Sequence, residues 1–491
     1  MATVEQPRTE VETLRNYIGG EWVASAADDA LDDIDPATGE LLARVPLSTV
    51  ADVDAAAKAA RAAQPEWAAV PVARRARAVF ALREALWAER EELAQLVTQD
   101  MGKALDDARG EVVRGIESTE AACGIPTLLK GDTLGGIAKG MDVEMWRQPV
   151  GVVAAITPFN FPAMIPLWFL PFAIACGNSF ILKPSERDPR TSARILELID
   201  GIEEIPAGVV NLVHGAHESV NGLLDHPEID AISFVGQAST ALYVMERGTR
   251  SGKRVQALGG AKNSMVVMDD ADLGDAVPAM MQSAFGNAGQ RCLAGSVAVV
   301  VGDEARRSEV RSALAEAARD LPTGPGTDES VICPPMVARD ARDRVSDAVD
   351  RALAEGAEMV VDGRERTNEA GALMGPTVVA AADRESELAR EELFGPVLAL
   401  LEVDDLGEAL EFVNSSRYGN ASVIFTQSGA AVRRYRAEVE AGMIGVNVGV
   451  PAPVAWFPFA GWKDSMVGDL HANGMDAIEF YTRKKVMTTR W

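Results

Sequence analysis

The chain has 491 residues and a formal net charge of −26, with 47% hydrophobic and 24% charged residues. That length exceeds what one hydrophobic core supports, since cores stop growing near about 250–300 residues, and the composition is that of an ordinary globular protein, so two or three packed units are expected. The negative charge repels nucleic-acid backbones and anionic membrane surfaces, and neither is expected as a partner.

The opening MATVEQPRTEVETLR lacks the basic and then apolar layout of a signal peptide, which predicts a cytoplasmic location. In the alanine-rich stretch from Val50 to Gln99, ARRARAVFALREALWAEREELAQLV repeats apolar residues three and four apart and predicts one long amphipathic helix. The apolar run from Phe161 to Leu182 approaches the length of a membrane span. Pro162, Pro166 and Pro171 interrupt it, so a buried core helix is predicted instead.

Short β-branched runs then alternate with helical stretches: VGVVAAIT at 150–157, SFILKP at 179–184, GVVNLVHG at 208–215 and AISFVG at 231–236. Strands of this kind, apolar on both faces and joined by helices, predict a parallel, doubly wound sheet. SMVVMDD, SVAVVVG, AEMVVDG and ASVIFTQ, again with helical segments between, predict a second α/β unit. The glycine pair Gly259 and Gly260, in QALGGAKN, is the candidate hinge between the two, because paired glycines let the backbone turn sharply.

The four cysteines, Cys123, Cys176, Cys292 and Cys333, form no CxxC pair, which predicts reduced thiols. His214 and His217 are the only close histidines and have no third ligand nearby in sequence, so no metal is expected. Cys292 stands apart by its setting, FGNAGQRCLAGS: it follows Arg291, whose charge would favour the nucleophilic thiolate, and small residues leave room for a ligand. A buried, inert thiol is the structural alternative.

Asn160, in ITPFNFP, sits where a strand ends; it either caps the next helix or offers its amide to a developing oxyanion. In LKPSERDP, Lys183 and Glu186 follow a strand of the first unit, the edge where such sheets bind nucleotides. They are surface charges or ribose contacts, and in the second case Glu186 would repel a 2′-phosphate and favour NAD over NADP. Within SFVGQAST a strand runs into Gly236 and a helix start, a layout suited to a diphosphate although no GxGxxG is present.

TPFNFP, ACGNSFILKPSE, SFVG, LGGAKN, NAGQRC and EELFGPV, in this order, resemble the aldehyde dehydrogenase superfamily over almost the whole chain. The resemblance implies an α/β fold of three parts. These are a Rossmann-like NAD-binding domain at 1–125 and 147–258, a catalytic domain at 259–455, and a small β oligomerisation arm at 126–146 and 475–491. It makes Cys292 the nucleophile and gives the oxyanion hole to Asn160 and the Cys292 N–H. Phe159, Lys183, Glu186, Gly236, Glu392 and Phe394 become the cofactor site.

One departure bears on the reaction. Hydrolytic members carry a glutamate before Leu-Gly-Gly, and this sequence has Ala257 there. Bulk water, of pKa about 15.7, needs a base to attack a thioacyl intermediate, whereas a thiol of pKa about 8.5 is already partly ionised. The gap of about seven units is on the order of 10 kcal/mol, which points to coenzyme A as the acyl acceptor.

IPLWFLPFAIACGN, NLVHGAHESVNGLLDHP, GKRVQALGGAKN, FAGWKDSMVGDLHANG and the ending FYTRKKVMTTRW are similar to the acylating methylmalonate-semialdehyde dehydrogenases within the superfamily. That similarity implies oxidation of methylmalonate or malonate semialdehyde to an acyl-CoA with loss of CO2. It assigns Arg114 and Arg291 to the substrate carboxylate, and it implies a homotetramer whose subunits pair strands. Gln237 and Ala241 depart from the superfamily's usual serine and glycine beside the diphosphate. The competing readings are a hydrolytic semialdehyde dehydrogenase using another carboxylate, and a non-catalytic nucleotide-binding or structural protein on the same fold.

Overall fold

The computed structural model describes residues 11–381 and 383–491; the first ten residues of the opening segment lie outside them. Two parallel sheets organise the chain. The first is ordered Glu21–Val23, Asn16–Ile18, Val210–Leu212, Ser179–Lys183, Val152–Ile156, Ala231–Val235, Arg254–Leu258, Met466–Val467. Its five central strands run parallel and its edges are antiparallel. Val152–Ile156, Ser179–Lys183 and Ala231–Val235 are buried throughout, as unbroken apolar runs require of strands covered on both faces.

The second sheet is ordered Glu358–Val361, Thr377–Ala380, Val397–Val403, Gly295–Val301, Asn263–Val267, Ala421–Phe425, Met443–Val446, parallel except for its first strand. The chain crosses from one sheet to the other between Leu258 and Asn263, through the Gly259–Gly260 pair. A carbon at Gly259 Cβ would stand 2.5 Å from the Asp464 carbonyl, so close packing as well as turning demands glycine there.

Two expectations are corrected. The predicted long helix is divided: Val72–Ala88 ends, Glu89 leaves helical geometry, and Arg90–Met101 starts anew. Periodicity persists across such a break because both segments bury the same face, with Leu82 and Leu86 before it and Leu93 and Val97 after it. The C-terminal arm is also shorter in strand than expected, since Gly474–Phe480 is a helix with Ile478 and Phe480 buried, and strand begins only at Thr482. Thr482–Arg490, Met141–Pro149 and Asp132–Ala138 then form a separate antiparallel sheet with Leu134, Val486 and Trp491 exposed.

The apolar run condenses into helix Met164–Ala175, buried from Ile165 to Ala175. It packs on helix Leu105–Cys123 so closely that a Cβ at Gly115 would lie 2.8 Å from Leu167 Cδ1. No helix among the described residues is long and apolar enough to cross a membrane.

Candidate active site

Cys292 lies in the connection between helix Leu273–Phe285 and strand Gly295–Val301. The chain reaches it through three consecutive left-handed residues, Asn287 (φ 53°), Ala288 (φ 52°) and Gly289 (φ 69°). A left-handed Ala costs about 1–2 kcal/mol and persists only where surroundings over-determine it. Here Asn287 Nδ2 donates to the Gln290 carbonyl at 3.2 Å and Gln290 Oε1 accepts from Val337 N at 3.0 Å. The Cys292 carbonyl is held by Asn263 Nδ2 at 2.9 Å and Asn420 Nδ2 at 2.8 Å. Asn263 and Asn420 went unnoticed in the sequence; Asn263 lies inside the quoted LGGAKN stretch, and Asn420 had no signal beyond its neighbouring glycine.

Two cavities meet at this cysteine. One, of about 370 Å³, is lined by Cys292 with Lys103, Asp107, Glu111, Arg114, Arg291 and the apolar Phe161, Trp168 and Phe459. The other, of about 470 Å³, is lined by Cys292 with Phe159, Asn160, Gly236, Gln237, Gly259, Gly260, Glu392 and Phe394. Asn160 is 3% exposed and its Nδ2 donates to the Gln290 carbonyl at 3.0 Å, so its amide is turned toward the nucleophile's loop. Its side chain makes no cap to the following helix.

The expected help from Arg291 to the thiolate is small and is outweighed. Burial pushes the Cys292 thiol up to about 12 and Glu392 adds to that, while the N–H groups of Cys292 and Leu293 and, last, Arg291 oppose it. The reason is pairing: Arg291 Nη2 lies 2.5 Å from Asp107 Oδ2, so its charge is spent on its own carboxylate. Arg114 reaches the same cavity and is likewise paired, with Glu117 at 3.1 Å. Leu293 lines this cavity, whereas Gly295 is packed behind it, where a Cβ would meet Met265 Sδ at 2.4 Å.

On the other side, Phe159 and Phe394 stand edge to face with centroids 5.8 Å apart, Phe394 itself left-handed at φ 56°. Glu392 Oε1 accepts from Ala261 N at 3.0 Å, and burial raises its carboxyl to about 7 against that bond and the charges of Lys262 and Arg344. Gly260 admits this carboxylate, since a Cβ there would be 2.4 Å from Glu392 Oε2. Gly236 precedes helix Ala238–Arg250, whose N-terminus has no side-chain cap. Free N–H groups facing a cavity suit a diphosphate.

Lys183 and Glu186 do not line the cavity; Lys183 Nζ lies 2.9 Å from Glu186 Oε2, and the adjacent Arg187 is part of the lining. Burial pushes the Glu186 carboxyl up, but Lys183 overrides it and holds the group below its ordinary value. Ala257 is fully buried among Phe234, Val244 and Val467, so its position brings no ionisable atom to the site. Three of the carboxylates lining the substrate side are engaged, Glu111 with Lys103, Asp107 with Arg291 and Glu117 with Arg114, and the fourth, Asp106, makes no ion pair among the described residues.

A doubly built α/β scaffold with a strained loop presenting one cysteine between an apolar, charged cavity and one rich in glycine and aromatic rings defines a class, and the sequence agrees. Residues 22–487 match the aldehyde dehydrogenase family, and the chain belongs to it. Among curated relatives, malonate-semialdehyde dehydrogenase 1 of Geobacillus kaustophilus (strain HTA426) is 50% identical over 491 residues, covering 100% of this chain and 99% of that protein. A crystal structure from Sinorhizobium meliloti 1021, complexed with NAD and provisionally named a methylmalonate-semialdehyde dehydrogenase, superposes with a TM-score of 0.96 at 41% identity, covering 99% of both chains. The methylmalonate-semialdehyde dehydrogenase of Oceanimonas doudoroffii superposes with a TM-score of 0.95 at 41% identity over 98% of this chain and 99% of that one.

Proposed function

We propose that the protein oxidises malonate or methylmalonate semialdehyde with NAD and delivers the acyl group, with loss of CO2, to coenzyme A. The observation that carries this reading is the pairing of a buried Ala257 at the family's usual base position with two arginines in the cavity beside Cys292. The relatives' names support the substrate class.

Cys292 Sγ attacks the aldehyde carbon, and the Asn160 amide and Cys292 N–H donate to the oxyanion that forms. NAD, when bound, supplies the hydride acceptor. Phe159, Gly236, Glu392 and Phe394 would hold it, with the free helix N-terminus at Ala238 toward its diphosphate and Lys183 and Glu186 toward its ribose. The fit rests on the open, glycine-lined cavity and its carboxylate acceptor.

Collapse of the adduct leaves a thioester on Cys292, which a thiol acceptor attacks as its own thiolate. Arg114 and Arg291 orient the substrate carboxylate, which leaves as CO2; the electron pair of the broken C–C bond passes into the adjacent carbonyl as an enolate, and the carbon then takes a proton from solvent. Of the expected spans 1–125 and 147–258, the described residues from 11 on are assigned to the cofactor domain, and those of 259–455 to the catalytic domain; residues 1–10 and 382 lie outside the described residues. The sheet of 132–149 and 482–490 pairs with other copies in a homotetramer, its exposed apolar edge otherwise an association hazard.

Purified enzyme given semialdehyde and NAD is expected to release about one equivalent of NADH per site and then stall, with sustained turnover and acyl-CoA appearing only on adding coenzyme A. Steady turnover to a free acid without any thiol overturns the acylating reading.

A further inference from the structure

Lys103 and Glu111 are the most deeply buried ion pair of the site, their side chains 1% and 0% exposed, and the chemistry above gives neither a task. Lys103 follows Gly102, whose left-handed φ of 80° ends helix Arg90–Met101 and turns the chain inward. Glu111 lies nearly two turns into helix Leu105–Cys123. A buried pair of this kind costs several kcal/mol of desolvation per ion and rarely stabilises more than an apolar pair of the same volume. Its retention calls for another explanation.

The two side chains grip one short segment from both ends. Lys103 Nζ donates to the Asn160 carbonyl at 2.7 Å and stands 4.1 Å over the ring of Phe161. Glu111 Oε2 binds that ammonium, and its Oε1 accepts from Ala163 N at 2.9 Å and Met164 N at 3.1 Å. The carboxylate thereby supplies the N-terminal cap that helix Met164–Ala175 lacks from its own residues. Asn160 is thus fixed through its carbonyl on one side, while its amide points to the Gln290 carbonyl on the other.

We propose that Lys103 and Glu111 are positioning residues: a buried ionic clamp that sets the Asn160 amide where the oxyanion develops on attack by Cys292. This rests on the oxyanion role proposed above for Asn160. A displacement of about 1 Å at such a donor can cost roughly 100-fold in rate. A clamp made of ionic hydrogen bonds on main-chain atoms resists that displacement more stiffly than apolar packing, because it is directional.

Acylation of Cys292 by p-nitrophenyl acetate isolates the step without any cofactor. The thiolate adds to the ester carbonyl, the oxyanion collapses, p-nitrophenolate leaves, and a thioacetyl group remains on sulfur. Lys103→Met/Glu111→Gln removes the grip on Asn160 while keeping an amide oxygen for Ala163 and Met164 and stranding no charge.

This double variant is expected to slow single-turnover acylation about 10- to 100-fold with little change in ester affinity. Alkylation of Cys292 by iodoacetamide, a displacement that develops no oxyanion, should proceed at the parent rate. Lys103→Arg should recover part of the loss. In an Asn160→Ala background the double variant should have almost no further effect, because the clamp acts through that side chain.

Additive losses, or equal slowing of alkylation and acylation, overturn the clamp and leave a merely structural pair. Should Asn160→Ala itself acylate at the parent rate, the oxyanion reading fails first, and the clamp with it. Thermal unfolding of each variant confirms that the fold is retained in the comparison.

Discussion

The two cavities that meet at Cys292 differ in how they hold charge. On the substrate side, the charged residues of helix Leu105–Cys123 are neutralised pairwise, by Lys103 just before the helix, by Arg291 from the cysteine loop and within the helix itself: Lys103 with Glu111, Arg291 with Asp107, Arg114 with Glu117. On the cofactor side glycines and aromatic rings form much of the lining, the charge at Arg187 and Asp340 is paired, and Glu392 is a carboxylate held by a main-chain N–H and raised by burial. Pairing leaves the thiol beside no lone cation, and under the function proposed above the two arginines still offer N–H donors to an anionic substrate. An open backbone surface lets a large ligand lie flat and carry its own charges.

The largest effect expected lies at the junction. Asn160→Ala removes the side-chain donor assigned above to the oxyanion and should lower kcat about 100- to 1,000-fold. Pre-steady-state NADH formation with propionaldehyde and with malonate semialdehyde checks it. The two substrates should suffer alike, since both raise the same oxyanion, and a loss confined to the semialdehyde acid would move Asn160 into carboxylate recognition.

The substrate side should break differently. Arg114→Leu and Arg291→Leu each delete an ionic hydrogen-bond donor worth about 1.5–3 kcal/mol, roughly 10- to 150-fold in KM for the semialdehyde acids. KM for propionaldehyde should stay within about threefold. Equal rises for both substrates remove the arginines from carboxylate binding.

These contrasts explain what the sequence could reveal. Cofactor-side residues sit in contiguous stretches, TPFNFP, SFVG, LGGAKN and EELFGPV, because strand ends and tight turns restrict residue type locally. The strands themselves were legible as apolar runs, and all eight quoted runs coincide with strands. The substrate side is assembled across the chain: Asp107 meets Arg291 over 184 positions, and Lys103 meets Asn160 over 57. No local pattern announces such pairs, so Arg291 was read as a free cation beside the thiol.

The break at Glu89 was hidden for a related reason, since both helices bury one shared face. Lys183 ends strand Ser179–Lys183 at the carboxyl edge of the first sheet and Glu186 follows it, yet their mutual ion pair is a tertiary detail that spacing alone leaves open.

A smaller effect is expected at that edge. Glu186→Gln should reduce preference for NAD over NADP several-fold by removing the charge that repels a 2′-phosphate. Fluorescence titration of both nucleotides measures it, and an unchanged ratio removes Glu186 from that role.

The two sides should also answer pH and charge removal with opposite signs. The Glu392 carboxyl is raised from 4.5 to about 7, burial outweighing the Ala261 N–H, Lys262 and Arg344, with Glu391 adding to the rise. A raised carboxyl pKa means that the folded state holds the proton more tightly. The stability this contributes is complete below pH 4.5 and is lost as pH climbs through 7. Glu392→Gln mimics the protonated form, so at pH 8 the variant should unfold at higher temperature than the parent, by about 1–3 kcal/mol at most. Near pH 4.5 the two should coincide. Asp107→Asn should do the reverse at pH 8, because it strands Arg291 beside an apolar cavity. If differential scanning calorimetry finds both variants destabilised at pH 8, the cofactor-side carboxylate is a structural pair like those across the cysteine, and the contrast between the two cavities disappears.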